Sequence, residues 1–315
     1  MIVHADHLCA SVFDGKVHVN AADAALPLYA LFLGGSARPG WDELQRAGPI
    51  RFGIAPPAEN PADESAPTFE RDFGDSCVRC ASNADAIAQI LPSHRERDPL
   101  KIPAALGFAF AQQWARHGLA CVHGALLRVR DTGVLVVGQR AAGKSVLAAS
   151  ALAAGGAIIS DDFLLAGLVA GQPVGERIRN FLSLRRSWAA HALLDGHAEP
   201  WSQNRSGNRA YLQITAGDAR FPDHASIDRV WVIARPRHGR GETSTLAPIG
   251  QAECYAAVVA AIQPLLLGPA LPFERDRLLP LMTRLVTGLP TARIETGQDI
   301  VLDPAGAWQR LLGQP

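Results

Sequence analysis

Residues Gly138-Gln139-Arg140-Ala141-Ala142-Gly143-Lys144-Ser145 match the pattern G-x-x-x-x-G-K-[ST] in full. The flanks constrain the fold as strongly as the match does. An apolar, Val-rich run (residues 134–137) precedes the pattern, and an Ala- and Leu-rich run (residues 146–154) follows it. A strand that passes through a glycine loop into a helix is the context a P-loop requires. Backbone N–H groups of such a loop wrap a phosphate, and the helix N-terminus adds positive potential. The candidate nucleotide-binding residues are therefore Gly138, Gln139, Arg140, Ala141, Ala142, Gly143, Lys144, Ser145 and Val146. Lys144 is expected to reach the β- and γ-phosphates of ATP, and the Ser145 hydroxyl to help hold Mg²⁺.

Fifteen residues after Ser145 stands Ser160, followed by Asp161-Asp162. Gly155-Gly156 is expected to end the helix, because glycine accepts the left-handed conformation of helix C-termini. Residues 157–160 then read as a short buried strand, parallel to the strand before the loop because a helix links the two. Both strands would end at one edge of an open sheet, the edge where ligands bind in α/β folds. Two carboxylates are thereby delivered beside the triphosphate. One can hold the metal, and the other can take a proton from an attacking hydroxyl. Such an arrangement suits transfer of a phosphoryl group to a small or short acceptor.

The chain has 315 residues, 48% hydrophobic and 19% charged, with a formal net charge of +0. It can bury a core, and it has no basic excess to suggest nucleic acid. Its first residues lack the basic-then-apolar order of a signal peptide, and no run approaches roughly 20 unbroken apolar residues. A soluble cytoplasmic protein without membrane contact is expected. The five cysteines are Cys9, Cys77, Cys80, Cys121 and Cys254, an odd and sparse set that argues against a disulfide framework. Cys77 and Cys80 have C-x-x-C spacing but no second ligand pair, so they read as loop cysteines.

Residues 1–95 form a separate accessory region and residues 96–315 the domain that carries the motifs. In the first part, residues 17–19 and 50–54 suggest strands, residues 27–32 an apolar helix or strand, and the Pro-rich acidic stretch 56–67 an exposed loop. Residues 103–116 show helical spacing, with Gly118 as a stop. Residues 121–130 read as a strand interrupted near His123-Gly124, and Asp131-Thr132-Gly133 as the turn into the loop strand. Residues 163–169 are a further strand, with a turn at 171–173. The arginines at 177, 179, 185 and 186 read as a solvated face, and residues 201–209 as a polar loop. Residues 230–234 suggest a strand, and 252–312 are mostly helical with a strand near 292–295.

Taken together, Cys121-Val122-His123-Gly124, Gly133-Val134-Leu135-Val136-Val137-Gly138, Gly143-Lys144-Ser145 and Ser160-Asp161-Asp162 follow one another at close spacing. That series resembles the catalytic domain of the HPr kinase/phosphorylase family. It covers residues 100–170 well and the remainder only in outline. The resemblance implies an α/β fold similar to the nucleotide domain of phosphoenolpyruvate carboxykinase. It further implies transfer of phosphate from ATP to a serine of a small carrier protein, and a homo-oligomer, since the family's enzymes are hexamers. It would make Asp161 the base, Asp162 and Ser145 the metal ligands, Lys144 the phosphate ligand, and His123 a neighbour that tunes Asp161. By itself His123 reads equally well as a satisfied core histidine. The family's Glu-Ile-Arg-Gly-Leu-Gly segment has no counterpart. Phe181-Leu182-Ser183-Leu184-Arg185-Arg186 stands at that distance but lacks the glutamate and glycines, so the resemblance leaves a reverse phosphorylase activity undecided. Related kinases modify a serine of a precursor peptide, including lasso-peptide precursors, which makes such a peptide an alternative acceptor. Two other readings stand beside these: a metabolite kinase, and a nucleotide-binding scaffold without phosphotransfer.

Overall fold

The computed structural model describes residues 118–139, 141–178, 217–234, 241–262 and 272–313 as continuous stretches. Outside them it describes Ala115, Ile214 and the strands named below. The strands are β1 (Ile2–His4), β2 (His7–Val12), β3 (Gly15–Asn20), β4 (Thr68–Asp72), β5 (Ser76–Ala81), β6 (Ile87–Ile90), β7 (Ala120–Val129), β8 (Thr132–Gly138), β9 (Ala157–Ser160), β10 (Phe163–Val169), β11 (Gln172–Arg177), β12 (Phe181–Arg185), β13 (Pro200–Gln203), β14 (Arg209–Gln213), β15 (His224–Ser226), β16 (Arg229–Ile233), β17 (Thr245–Pro248) and β18 (Thr291–Glu295). The helices are α1 (Lys144–Ala153), α2 (Gln251–Ile262), α3 (Pro272–Thr287), α4 (Asp299–Leu302) and α5 (Pro304–Gly313).

A nine-stranded mixed sheet carries the motifs, in the order β15-β11-β10-β7-β8-β16-β18-β17, with β9 also paired to β7. Strands β8, β16 and β18 run parallel. Strand β7 is antiparallel to β8, β9 and β10. Three small antiparallel sheets, β1-β2-β3, β4-β5-β6 and β12-β14-β13, lie outside it. Along β7 and β8 the alternate residues Ala125, Leu127, Val129, Val134 and Val136 join a core with α1, α5 and Trp231. The intervening Val122, Leu126, Leu135 and Val137 are equally buried, and α2 packs on β7 and β8. Near-continuous apolar runs of this kind mark strands covered on both faces.

Helix α1 forms because its sequence is mostly Ala, Leu and Ser without Gly or Pro. Its end is closed as expected: Gly155 N–H donates to Leu152 O (2.9 Å) and Gly156 N–H to Ala151 O (2.8 Å). Its outer side is covered by α4 and α5. There Trp308 Nε1–H donates to the buried Ser150 Oγ at 2.9 Å, and the Trp308 ring stacks on Trp231 with centroids 5.4 Å apart.

Several expectations need correction. Strand β7 is continuous through His123-Gly124, and its ladder to β8 runs unbroken from Gly124↔Val137 to Val129↔Thr132. The irregularity lies on its other edge, where the register with β9 shifts between Leu126 and Leu127. The hairpin turn falls at Arg130-Asp131, with φ of 50° and 60°, one step earlier than Asp131-Thr132-Gly133. Both central residues adopt the left-handed conformation that a two-residue hairpin loop requires. Of the polar loop expected at 201–209, residues 201–203 and 209 belong to the paired strands β13 and β14, and 204–208 lie outside the described residues. Arg177 is buried and not on a solvated face, and Cys77 and Cys80 lie in strand β5 rather than in a loop. The expected helix at 103–116, the segments at 27–32, 50–54 and 56–67, and Arg140, Arg179 and Arg186 lie outside the described residues, save Ala115. Among the described residues, no helix is long and apolar enough to cross a membrane.

Candidate active site

Strand β7 places the site. On one edge, its Gly124 pairs with Val137, the residue before the glycine loop. On the other edge, Phe163 pairs with His123 and Ser160 with Leu126. Strands β9 and β10 therefore lie end to end along one edge of β7, and Asp161-Asp162 occupy the bend between them. Strands β8 and β9 are both antiparallel to β7 and hence parallel to each other, as the sequence implied, but β7 stands between them. His123 is thus interposed between the loop and the acidic pair.

The loop is held from the opposite side by β16. A side chain at Gly138 would collide with the backbone carbonyl of Ile233, and a Cβ at Gly143 would sit 3.2 Å from Ile233 Cδ1. Gly143 also has φ of 122°, which side-chain-bearing residues avoid, so both glycines are required where they stand. Gly143 is the N-cap of α1 and supplies no capping side chain, and the first turn of α1 holds no acid. The opening donors of a helix need partners from outside it, and an anion meets that need.

Lys144 is 6% exposed and folds back on the loop, donating from Nζ to Gly138 O (2.8 Å) and Gln139 O (3.3 Å). Burial pushes its amine below the ordinary lysine range, and the nearby Asp162 carboxylate partly restores it. A cation desolvated in this way favours an added anion. The residues therefore fit a phosphate. A divalent cation fits as well, on a condition. Among the described residues no three His, Cys, Asp or Glu side chains converge as a metal cluster. The ion would take Ser145 and one carboxylate and draw its other ligands from phosphate and water, the mode Mg²⁺ uses.

Asp162 Oδ1 lies 3.1 Å from His123 Nε2, with side chains 28% and 19% exposed. The His123 ring stacks on Phe163 at 5.0 Å between centroids. The partner of His123 is therefore Asp162, where Asp161 was expected. Asp161 is 4% exposed. Ser160, equally buried, donates its hydroxyl to Phe163 O at 2.5 Å, bridging the bend that carries both acids. In the sequence Ser160, Phe163 and Ile233 stood out only as strand or motif positions, with no role at the site. A serine ahead of two aspartates is a turn signal that points to the first of them. Arg177 donates to Phe221 O at 2.7 Å and pairs with Asp223, which commits it to structure and not to a transferring phosphate.

No family model matches the chain, and no curated protein matches it. Among solved structures, the chain is similar to the Hpr(Ser) kinase/phosphatase from Coxiella burnetii, at 13% identity and a TM-score of 0.28. That match covers 41% of this chain and 72% of the other. A likeness of that degree adds nothing to what the geometry carries.

Proposed function

We propose that this chain is an ATP-dependent kinase that transfers the γ-phosphoryl group to a serine hydroxyl of a small protein or a ribosomally made peptide. The observation that supports it is the convergence of three elements. The buried Lys144 on the loop, the coupled Asp162 on the β9–β10 bend, and His123 between them meet at one end of the sheet. Loop residues 138–146 wrap the phosphates, and Lys144 neutralises their charge. Bound Mg²⁺ would supply further charge stabilisation of the transferring group. Ser145 and Asp162 would hold it, and His123 orients Asp162. Asp161 takes the proton of the attacking hydroxyl. A serine on a protein or peptide, as opposed to a metabolite, is favoured by the resemblance of His123-Gly124 and Asp161-Asp162 to a protein-serine kinase family.

The test is mass spectrometry of a candidate acceptor peptide or protein after incubation with the chain, ATP and Mg²⁺. One added phosphate on a serine is expected. Asp161→Asn should lower the rate by ~10²–10⁴-fold with nucleotide affinity kept, while Asp162→Asn should raise the Mg²⁺ concentration required. The reverse pattern would exchange the two roles. Transfer to a metabolite alone, or binding of ATP without any transfer, would overturn the serine-kinase reading.

A further inference from the structure

We infer that Ser160 is a positioning residue whose hydroxyl sets the placement of Asp161 and Asp162; this rests on the kinase reading above. The edge of β7 shows why such a residue is needed. Strand β9 pairs with it as far as Ser160↔Leu126, and β10 resumes at Phe163↔His123. Three positions separate these pairs on each strand, so the register is preserved across the gap. The two aspartates are nevertheless bends that make no ladder pair with Gly124 and Ala125. A strand edge that is in register on both sides has a competing conformation, in which the ladder closes straight through. That closure would turn successive side chains to opposite faces of the sheet. Asp161 and Asp162 would then be parted across the two faces.

The Ser160 Oγ–Phe163 O hydrogen bond, 2.5 Å long, opposes this. It ties together the residues on either side of the acids. Ser160 is 4% exposed, so water does not readily replace its hydroxyl. Phe163 in turn stacks on His123, which meets Asp162. One hydroxyl thus orders a chain of contacts, Ser160 to Phe163 to His123 to Asp162, that ends beside Lys144. Sub-ångström drift in such a constellation is costly, since a misplacement of about 1 Å can lower a rate roughly 100-fold.

The experiment compares Ser160→Ala, Ser160→Cys and Ser160→Thr in the full chain. Two quantities are read: MgATP turnover in the presence of the serine-bearing acceptor of the preceding test, and the imidazole signals of His123 in an NMR spectrum, assigned with His123→Gln. Ser160→Ala and the volume-conserving Ser160→Cys should lower kcat by about 100-fold with KM for MgATP held within about twofold, and both should shift the His123 signals. Ser160→Thr, which keeps the hydroxyl, should recover most of the rate and the wild-type signals. Full activity in Ser160→Ala, or unmoved His123 signals in both hydroxyl-free variants, would overturn the proposal. If the wild-type chain transfers phosphate from MgATP to no acceptor tested, the kinase reading fails, and the His123 signals alone decide whether Ser160 orders the bend.

Discussion

Lys144 shows the cost at which a single residue takes up the position proposed for it. Its amine is buried against carbonyls and held below the ordinary lysine range, chiefly by desolvation. A lysine whose folded-state value is lowered destabilises the fold while it is charged. The cost is present at neutral pH and fades as pH rises from the lowered value toward the unfolded one, about 10.4. Lys144→Met is therefore expected to raise the thermal midpoint of the unliganded protein at pH 7. The gain should shrink above pH 10, and nucleotide binding should be lost. Calorimetry across pH checks the first part and equilibrium titration with ATP the second; a midpoint that falls at pH 7 would contradict the desolvation account. Stabilisation by removal of a strained functional group is a recurrent trade in binding sites.

At the scale of elements, the packing of α4 and α5 on α1 decides how firmly the loop helix is backed. Ser244 anchors this layer: its N–H and Oγ donate to Asp299 Oδ1 at 2.8 and 2.6 Å, and its Oγ accepts from Gly297 N–H. Arg310 donates to the other oxygen of Asp299 at 2.8 Å. Burial pushes the Asp299 carboxyl up, but these donors outweigh it and hold it below the ordinary carboxylate range. A carboxylate with a depressed folded-state value stabilises above its unfolded value, about 3.9, and loses that contribution as pH falls through the folded one. Asp299→Asn should therefore destabilise the protein by about 1–2 kcal/mol at pH 7. In urea unfolding the gap to wild type should close as the solution is acidified below about pH 4. A gap independent of pH would show that the carboxylate's charge is not what holds the layer.

For the whole molecule, the site is assembled from chain segments that meet only in the folded sheet, so ligand and fold stabilise each other. MgATP at about 100 times its Kd should add ~2.7 kcal/mol, seen as a rise in melting midpoint that Lys144→Met abolishes. Much of this architecture was legible in the sequence. The strand–loop–helix order around residues 138–145, the helix stop at Gly155-Gly156 and the strand from Phe163 all follow from local signals. Those signals are glycines where the backbone needs them, apolar runs of strand or helix length, and a handedness that links parallel strands through a helix. Other features came only with the tertiary structure. The insertion of β7 between β8 and β9 set His123 against Asp162 in place of Asp161. The same packing buried Arg177 with Asp223 and set the two aspartates at the bend between β9 and β10. An apolar run states that a strand is covered on both faces. Which strand lies beside it, and in what register, depends on burial summed across segments distant in the chain, and no local pattern encodes that sum.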